Sequence, residues 1–157
     1  MTEFAKVAAS SFAEIWKAYG RPYMRIYDPI SEWTLPAGVT YNPTNDRFED
    51  GDGDAVTVSY ITAADYAQVR YVPRTRKGRA SVVAAEMAEG FVEQPALTVY
   101  MEWSTANVAA LSACWAIQIG GIFYRPMAES DWLYTPAGSS TPVFVEIGLI
   151  QQVKTYA

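Results

Sequence analysis

Two consecutive glycines, Gly120 and Gly121, separate two short runs of alternating apolar residues. The run from Trp115 to Ile119 precedes them, and the run from Ile122 to Tyr124 follows. A type I′ turn needs positive φ at both central residues, and glycine adopts that conformation without steric cost. The pattern predicts a tight antiparallel hairpin, which constrains the chain towards β structure.

Period-two alternation recurs along the chain and predicts further strands. The runs from Val56 to Ile61 and from Tyr66 to Val72 are joined by a short connection and predict a second antiparallel hairpin. Single strands are expected at Leu97 to Trp103 and Val143 to Leu149, and an extended segment at Tyr23 to Tyr27. No internal repeat is evident. About six strands predict a mainly β (α+β) fold, a small antiparallel β-barrel or sandwich.

Helical spacing is confined to a few segments. Apolar residues recur at helical intervals through residues 1–20, ending at Gly20, and again through residues 80–91. These patterns predict an N-terminal helix and one further short helix. Residues 104–113 suit one or two helical turns capped by Ser104. Residues 28–54 are rich in proline and glycine and predict a long irregular loop, while residues 131–142 predict a second loop.

Length and composition fit a single domain over residues 1–157, with a β-rich core at residues 55–150. The single cysteine, Cys114, excludes an internal disulfide and is typical of a reducing compartment, and its apolar neighbours suggest a buried, inert thiol. No apolar stretch is long enough for a membrane span, and the N-terminus does not resemble a signal peptide. We therefore expect a soluble protein made in the cytoplasm, with no membrane partner.

The chain contains no histidine, which removes Ser-His-Asp and Cys-His nucleophile systems and the HExxH zinc site. A single thiol argues further against zinc. Glu86, Glu89 and Glu93 fall on the predicted second helix and could serve as paired acids, but this spacing is more typical of a solvated helix face. We expect no enzymatic activity, no cofactor and no metal site.

An acidic run resembles the opening of a calcium loop, and its acidic members are Glu49, Asp50, Asp52 and Asp54. An EF-hand counted from Asp50 would need glycine at the sixth position and glutamate at the twelfth, where this chain has Ala55 and Ile61. The run is interpreted as an acidic turn, with an adventitious cation left open.

A basic run follows, with five of the twelve basic residues inside ten positions: Arg70, Arg74, Arg76, Lys77 and Arg79. The net charge of −5 argues against nucleic acid as the main partner. If the second predicted hairpin forms, the acidic and basic runs lie at the same end of it. They would then either neutralise each other within one subunit or join neighbouring subunits head to tail in a ring.

Eleven tyrosines and five tryptophans are a high aromatic load for this length. Most are expected in the core, but four fall in predicted loops: Trp33, Tyr41, Trp132 and Tyr134. Loop aromatics of this kind are candidates for interface anchors, and beside acids they can also stack on sugar rings.

The layout resembles the head-tail connector proteins of tailed phages, most closely the head-closure or stopper proteins. The resemblance is carried by the pattern from Trp115 to Tyr124, the loop after it and the apolar strand from Val143 to Ile150. It implies a structural virion protein assembled in the host cytoplasm. Such a protein forms a ring of six or twelve identical subunits at the neck of the particle.

The resemblance also implies a portal or adaptor on one side of the ring, tail proteins on the other, and DNA passing through without specific binding. Residues 28–54 and 125–142 would then supply contact surfaces or a gate across a DNA channel. The chain is longer than a minimal stopper, which keeps adaptor, tail-terminator and tail-completion roles open. A carbohydrate- or receptor-binding β-module is the alternative outside particle assembly.

Overall fold

The computed structural model describes residues 23–73, 95–135 and 141–153. The predicted helices at residues 1–20 and 80–91 lie outside these ranges. So do the basic residues of the run beyond Arg70, and the glutamates of the second predicted helix.

Ten strands are described: β1 (Tyr23–Tyr27), β2 (Thr40–Asn42), β3 (Arg47–Glu49), β4 (Ala55–Val56), β5 (Tyr66–Pro73), β6 (Leu97–Glu102), β7 (Ala116–Ile119), β8 (Ile122–Pro126), β9 (Leu133–Thr135) and β10 (Phe144–Gln152). Six of them close an antiparallel barrel in the order β6-β5-β1-β7-β8-β10, because β10 also pairs with β6. β9 adds a seventh strand beside β10, and the predicted small β-barrel is confirmed.

The barrel interior follows from side-chain alternation, since successive residues of a strand point to opposite faces. On β1, Met24 and Ile26 face inward and are almost fully buried, while Tyr23 and Arg25 face outward. The inner core is completed by apolar side chains of the other strands and one helix: Val69, Tyr71, Val99, Met101, Leu111, Ile117, Tyr124, Trp132, Val145, Ile147 and Leu149.

The glycine hairpin is confirmed. β7 and β8 pair in antiparallel register, with Ile119 opposite Ile122. Gly120 and Gly121 have φ of 58° and 82°, the left-handed conformation that the sequence predicted at both positions.

The last strand, β10, is the most heavily paired of the described strands. One edge pairs with β6 from Phe144 to Leu149, and the other pairs first with β9 and then with β8. Between those two partners, the N–H of Met127 donates to the carbonyl of Gly148 at 2.8 Å. β8 and β9 therefore pair with successive parts of the same edge of β10.

The prediction of an irregular loop over residues 28–54 needs correction. The segment contains a 3₁₀ helix (Ile30–Glu32) and the strands β2 and β3, and with β4 these strands form a separate three-stranded sheet. The strands are too short to show a clear period in the sequence, which is why turn residues dominated the prediction.

The predicted hairpin between residues 56–61 and 66–72 is wrong. β4 is two residues long and pairs with β3, whereas β5 pairs with β1 and β6. Val58 is buried outside any strand, and Tyr60 starts a one-turn helix, α1 (Tyr60–Ala63). The apolar alternation reflects burial of single residues against the barrel, not β pairing.

A second apolar cluster lies on the outer face of the barrel, where the small sheet packs. Its buried members are Tyr27, Trp33, Phe48, Val58, Ala63 and Ala64. Tyr27 belongs to it because it shares the outward face of β1 with Tyr23 and Arg25. Trp33 joins the two layers, with ring centroids 5.8 Å from Phe48 and 4.9 Å from Trp115.

A nine-residue helix, α2 (Thr105–Ala113), links β6 to β7 and confirms the predicted helical turns. The Oγ of Ser104 accepts a 3.0 Å hydrogen bond from the N–H of Asn107, as expected of an N-cap. Leu111 anchors this helix in the inner core. Within the described ranges, no helix has both the length and the apolar character needed to cross a bilayer.

Candidate interaction surfaces

An exposed face of the barrel carries two arginines stacked on two tyrosines. It is formed by the outward residues Tyr23 and Arg25 of β1 and Tyr66 and Arg70 of β5, and we call it the Arg–Tyr face. The register places Tyr23 opposite Arg70 and Tyr27 opposite Tyr66. The Cζ of Arg25 lies 4.5 Å from the ring centroid of Tyr66, and that of Arg70 lies 5.3 Å from the centroid of Tyr23.

Both guanidinium groups are held by these rings and not by carboxylates. The Nε of Arg70 donates a 3.1 Å hydrogen bond to the hydroxyl of Tyr23. Hydrogen bonding to Tyr27, followed by interaction with Tyr66, raises the pKa of Arg25. Neither arginine forms an ion pair with any described residue. The salt bridge among the described residues joins Arg47 to Glu49, both on β3.

A polar recess of about 310 Å³ continues the Arg–Tyr face towards the glycine turn. It is lined by Tyr23, Arg25, Gln118, Gly120 and Gly121. Gln118 is fixed there because its Oε1 accepts a 2.8 Å hydrogen bond from the hydroxyl of Tyr27. The recess therefore offers a guanidinium, an amide and an open backbone turn to a polar ligand group.

The acidic run forms the turn between β3 and β4, and Asp50 organises it. The Oδ1 of Asp50 accepts hydrogen bonds from the N–H groups of Asp52 and Asp54, at 2.9 and 3.0 Å. The N–H of Asp50 donates to the carbonyl of Asp54 at 2.9 Å. Asp52 and Asp54 are exposed, and neither carboxylate has a partner among the described residues.

The carboxylate of Glu49 is paired within the small sheet. Its Oε1 lies 2.7 Å from the Nε of Arg47 and 3.2 Å from the Nδ2 of Asn42. The hydrogen bond from Arg47, with a further one from Asn42, lowers the pKa of Glu49. In the described part of the chain, no group of three or more Cys, Asp or Glu side chains is arranged to hold a metal ion.

Arg70 and the acidic turn do not lie at one end of a shared hairpin, as the prediction required, because β4 pairs with β3 and β5 pairs with β1 and β6. The acidic turn belongs to the small sheet, whose buried Phe48 packs in the outer cluster with Tyr27 at the end of β1. Arg70 lies on β5, opposite Tyr23 at the start of β1. The other predicted basic residues, Arg74, Arg76, Lys77 and Arg79, lie outside the described ranges.

Two of the predicted interface anchors are buried within the chain, which corrects that expectation. Trp33 is 6% exposed and Trp132 is 5% exposed. Their rings fill the outer cluster and the inner core respectively. Tyr134 and Tyr41 are half-buried at the borders of these cores, and burial raises the pKa of Tyr134. The flat aromatic platform that a sugar-binding site would need is not formed by the tryptophans.

An apolar groove of about 830 Å³ runs between the small sheet and the start of β7. Its walls include Ile30, Leu35, Val39, Tyr41 and Trp115. Cys114 also lines this groove and is half-buried, so the thiol is less enclosed than the sequence predicted.

The two buried tryptophans reveal an internal repeat that the sequence reading missed. Ser31-Glu32-Trp33 and Ser130-Asp131-Trp132 each follow a barrel strand, and each closes a 3₁₀ helix. The Nε1 of Trp132 donates to the carbonyl of Met127, five residues back, as Trp33 does to Asp28. The shared Ser-acid-Trp triplet was the available signal.

Comparison of the chain with protein-family models, with curated proteins and with solved structures finds no match.

Proposed function

We propose that this chain is a structural subunit of a tailed-phage particle, forming a ring in the head-tail connector that joins portal or adaptor to tail. The proposal starts from the resemblance carried by residues 115–124 and 143–150. In the structure these residues form β7, β8 and β10, half of the closed barrel.

The observation that carries the proposal is the presence of two different charged surfaces on one small barrel. The Arg–Tyr face is cationic and the β3–β4 turn is acidic, and neither is neutralised by a described residue. A contact between two different patches is heterologous, and repeated copies of it form a closed ring when the rotation allows. Two separate complementary patches can therefore join successive copies head to tail.

The side chains of the described residues favour binding over catalysis. The chain has no histidine, and Glu49 and Asp50 are hydrogen-bonded within their own sheet and turn. We therefore propose a non-enzymatic role without a cofactor. A net charge of −5 suits a ring through which DNA passes without adhering, since like charges repel phosphate.

Adaptor, tail-terminator and tail-completion roles share this ring architecture and differ in the neighbouring proteins. The carbohydrate- or receptor-binding alternative loses support, because Trp33 and Trp132 are buried.

Electron microscopy and native mass spectrometry of the purified chain test the ring, at rising concentration. We expect annular particles of six or twelve copies. A protein that stays monomeric at its solubility limit would contradict the proposal.

Labelling of tailed particles with a chain-specific antibody tests the location. We expect the label at the junction of head and tail. Label at the distal tip of the tail would instead support receptor binding.

A further inference from the structure

We propose that the Arg–Tyr face is the docking surface for the acidic turn, residues 50–54, of a second copy of this chain. The proposal rests on the ring function above and names the contact that would build it. Of the four residues of the Arg–Tyr face, sequence analysis singled out only Arg70. Tyr23, Arg25 and Tyr66 were not predicted as site residues.

The cationic side of the contact is ordered before any partner arrives. Arg25 lies over Tyr66 and Arg70 over Tyr23, so each planar group has a fixed orientation. Arginine is more weakly hydrated than lysine and pairs bidentately with carboxylates, which suits an interface. Arg25 and Arg70 are diagonal neighbours on adjacent strands, about 7–8 Å apart at the backbone, so the two positive charges lie on the same face.

The acidic side offers two carboxylates on an equally ordered support. Asp52 and Asp54 are exposed and separated by one residue, while Asp50 fixes the turn by accepting hydrogen bonds from both of their N–H groups. Two carboxylates on a fixed turn match two guanidinium groups on a fixed sheet. Charge complementarity of this kind selects the partner and its orientation.

The exposed acids of the turn do not neutralise the arginines of this face within one chain. Phe48, just before the turn, lies in the outer cluster with Tyr27, whereas Arg70 pairs with Tyr23 at the other end of β1, about 13 Å from Tyr27 at 3.3 Å per residue. The structure contains no ion pair between the two regions within the described residues. A second copy can supply the contact, and joining two different patches makes it head to tail.

Nucleic acid is the competing anion, and the charge count disfavours it. Phosphate binding requires an excess of basic residues on one surface, whereas the chain carries 17 acidic and 12 basic residues. The polar recess beside Arg25 also includes the amide of Gln118, which suits a carboxylate or a backbone group of a protein turn.

Paired charge reversal in the full chain tests the contact. One variant carries Arg25→Glu and Arg70→Glu, and the other carries Asp52→Lys and Asp54→Lys, with Asp50 kept because it holds the turn. The control, Glu32→Lys with Glu102→Lys, makes the same charge change as the Asp→Lys variant at exposed positions on other elements. Circular dichroism confirms that each variant folds.

Each reversed variant alone should associate on the order of 100-fold more weakly than the unmodified chain, because like charges then face each other. The control should assemble normally. An equal mixture of the two reversed variants should assemble again, with the variants alternating around an even-numbered ring, and native mass spectrometry would show equal numbers of each.

Three results distinguish the proposals. If the unmodified chain forms rings but the mixture does not, the docking contact is wrong and the ring function stands. If Arg25→Glu with Arg70→Glu keeps ring assembly and loses binding to double-stranded DNA, the face binds phosphate and the docking proposal is overturned. If the unmodified chain forms no ring but the two variants pair with each other, the docking contact stands and the ring function fails.

Discussion

The indole Nε1 of Trp33 donates a 2.8 Å hydrogen bond to the backbone carbonyl of Asp28, the residue that follows β1. Trp132 repeats the arrangement after β8, with a 2.9 Å bond to Met127. In each case a large apolar ring is buried, and its one polar atom donates to a backbone carbonyl five residues earlier, just after the barrel strand. The two tryptophans thereby fix where the chain leaves the barrel at two separate strand ends.

Replacing Trp33 with phenylalanine should remove this bond and part of the packing against Phe48 and Trp115. We expect the free energy of unfolding to fall by about 1–3 kcal/mol, since a partly buried carbonyl loses its donor and the ring packing is reduced. Trp103→Phe is the matched control, because Trp103 packs against the inner core without an indole hydrogen bond. Urea unfolding of both variants measures the difference, and equal losses would show that the bond contributes nothing.

The glycine turn gives a second prediction. Gly120→Val should lower the free energy of unfolding by about 1–2 kcal/mol, because a side chain is strained at φ of 58°. Gly120→Asn should be tolerated better, since asparagine adopts the left-handed region more readily. Thermal unfolding compares the two variants. The reverse order of stability would mean that the turn changes type in solution.

Gly148 lies where β10 passes Met127 and Pro95. A Cβ at this position would lie 2.5 Å from the Sδ of Met127 and 3.2 Å from the Cβ of Pro95. Gly148→Ala should therefore destabilise the barrel by about 1–3 kcal/mol through overpacking. Adding Met127→Ala should reduce the free-energy cost of Gly148→Ala, because the contacting side chain is then removed. Gly51→Ala is the control, since a Cβ there would meet no atom within 4 Å. Additive losses in a double-mutant cycle would contradict this contact.

Glu49 should make the chain sensitive to acid. Its pKa is lowered in the folded state by Arg47 and Asn42, so the folded chain binds this proton more weakly than the unfolded chain. The stabilisation is present above the ordinary glutamate pKa of about 4.3 and is lost as pH falls through the lower folded value.

Glu49→Gln should therefore flatten the fall of unfolding free energy below about pH 5 relative to the unmodified chain. Chemical unfolding at a series of pH values measures both slopes. The same slope in Glu49→Gln and the unmodified chain would show that the pairing with Arg47 does not persist in solution.

The sequence predicted those parts of the barrel in which a residue type has a strong local structural preference. Gly120 and Gly121 could form only a tight turn between alternating runs, and Ser104 preceded a segment that needed a cap. β10 was readable because its apolar alternation faces the inner core along most of its length. In these cases local preference and tertiary structure agree.

The outer cluster could not be predicted in the same way. Phe48 and Val58 are buried by residues distant in sequence, so alternation near Val58 suggested a strand that does not form. Trp33 and Trp132 stood in turn-rich segments and suggested interface anchors, yet both fold back onto their own chain. The Arg–Tyr face was missed, apart from Arg70, because it depends on the register between β1 and β5.

The pairing of β10 also sets the order in which the molecule can be completed during synthesis. β10 follows β6, β8 and β9 in the chain, and it supplies the hydrogen-bonding edge for all three. Until residues 144–152 are available, β6, β8 and β9 present open edges, the feature of partly folded β proteins that promotes aggregation. Emergence of this one strand converts an exposed sheet into a closed cylinder.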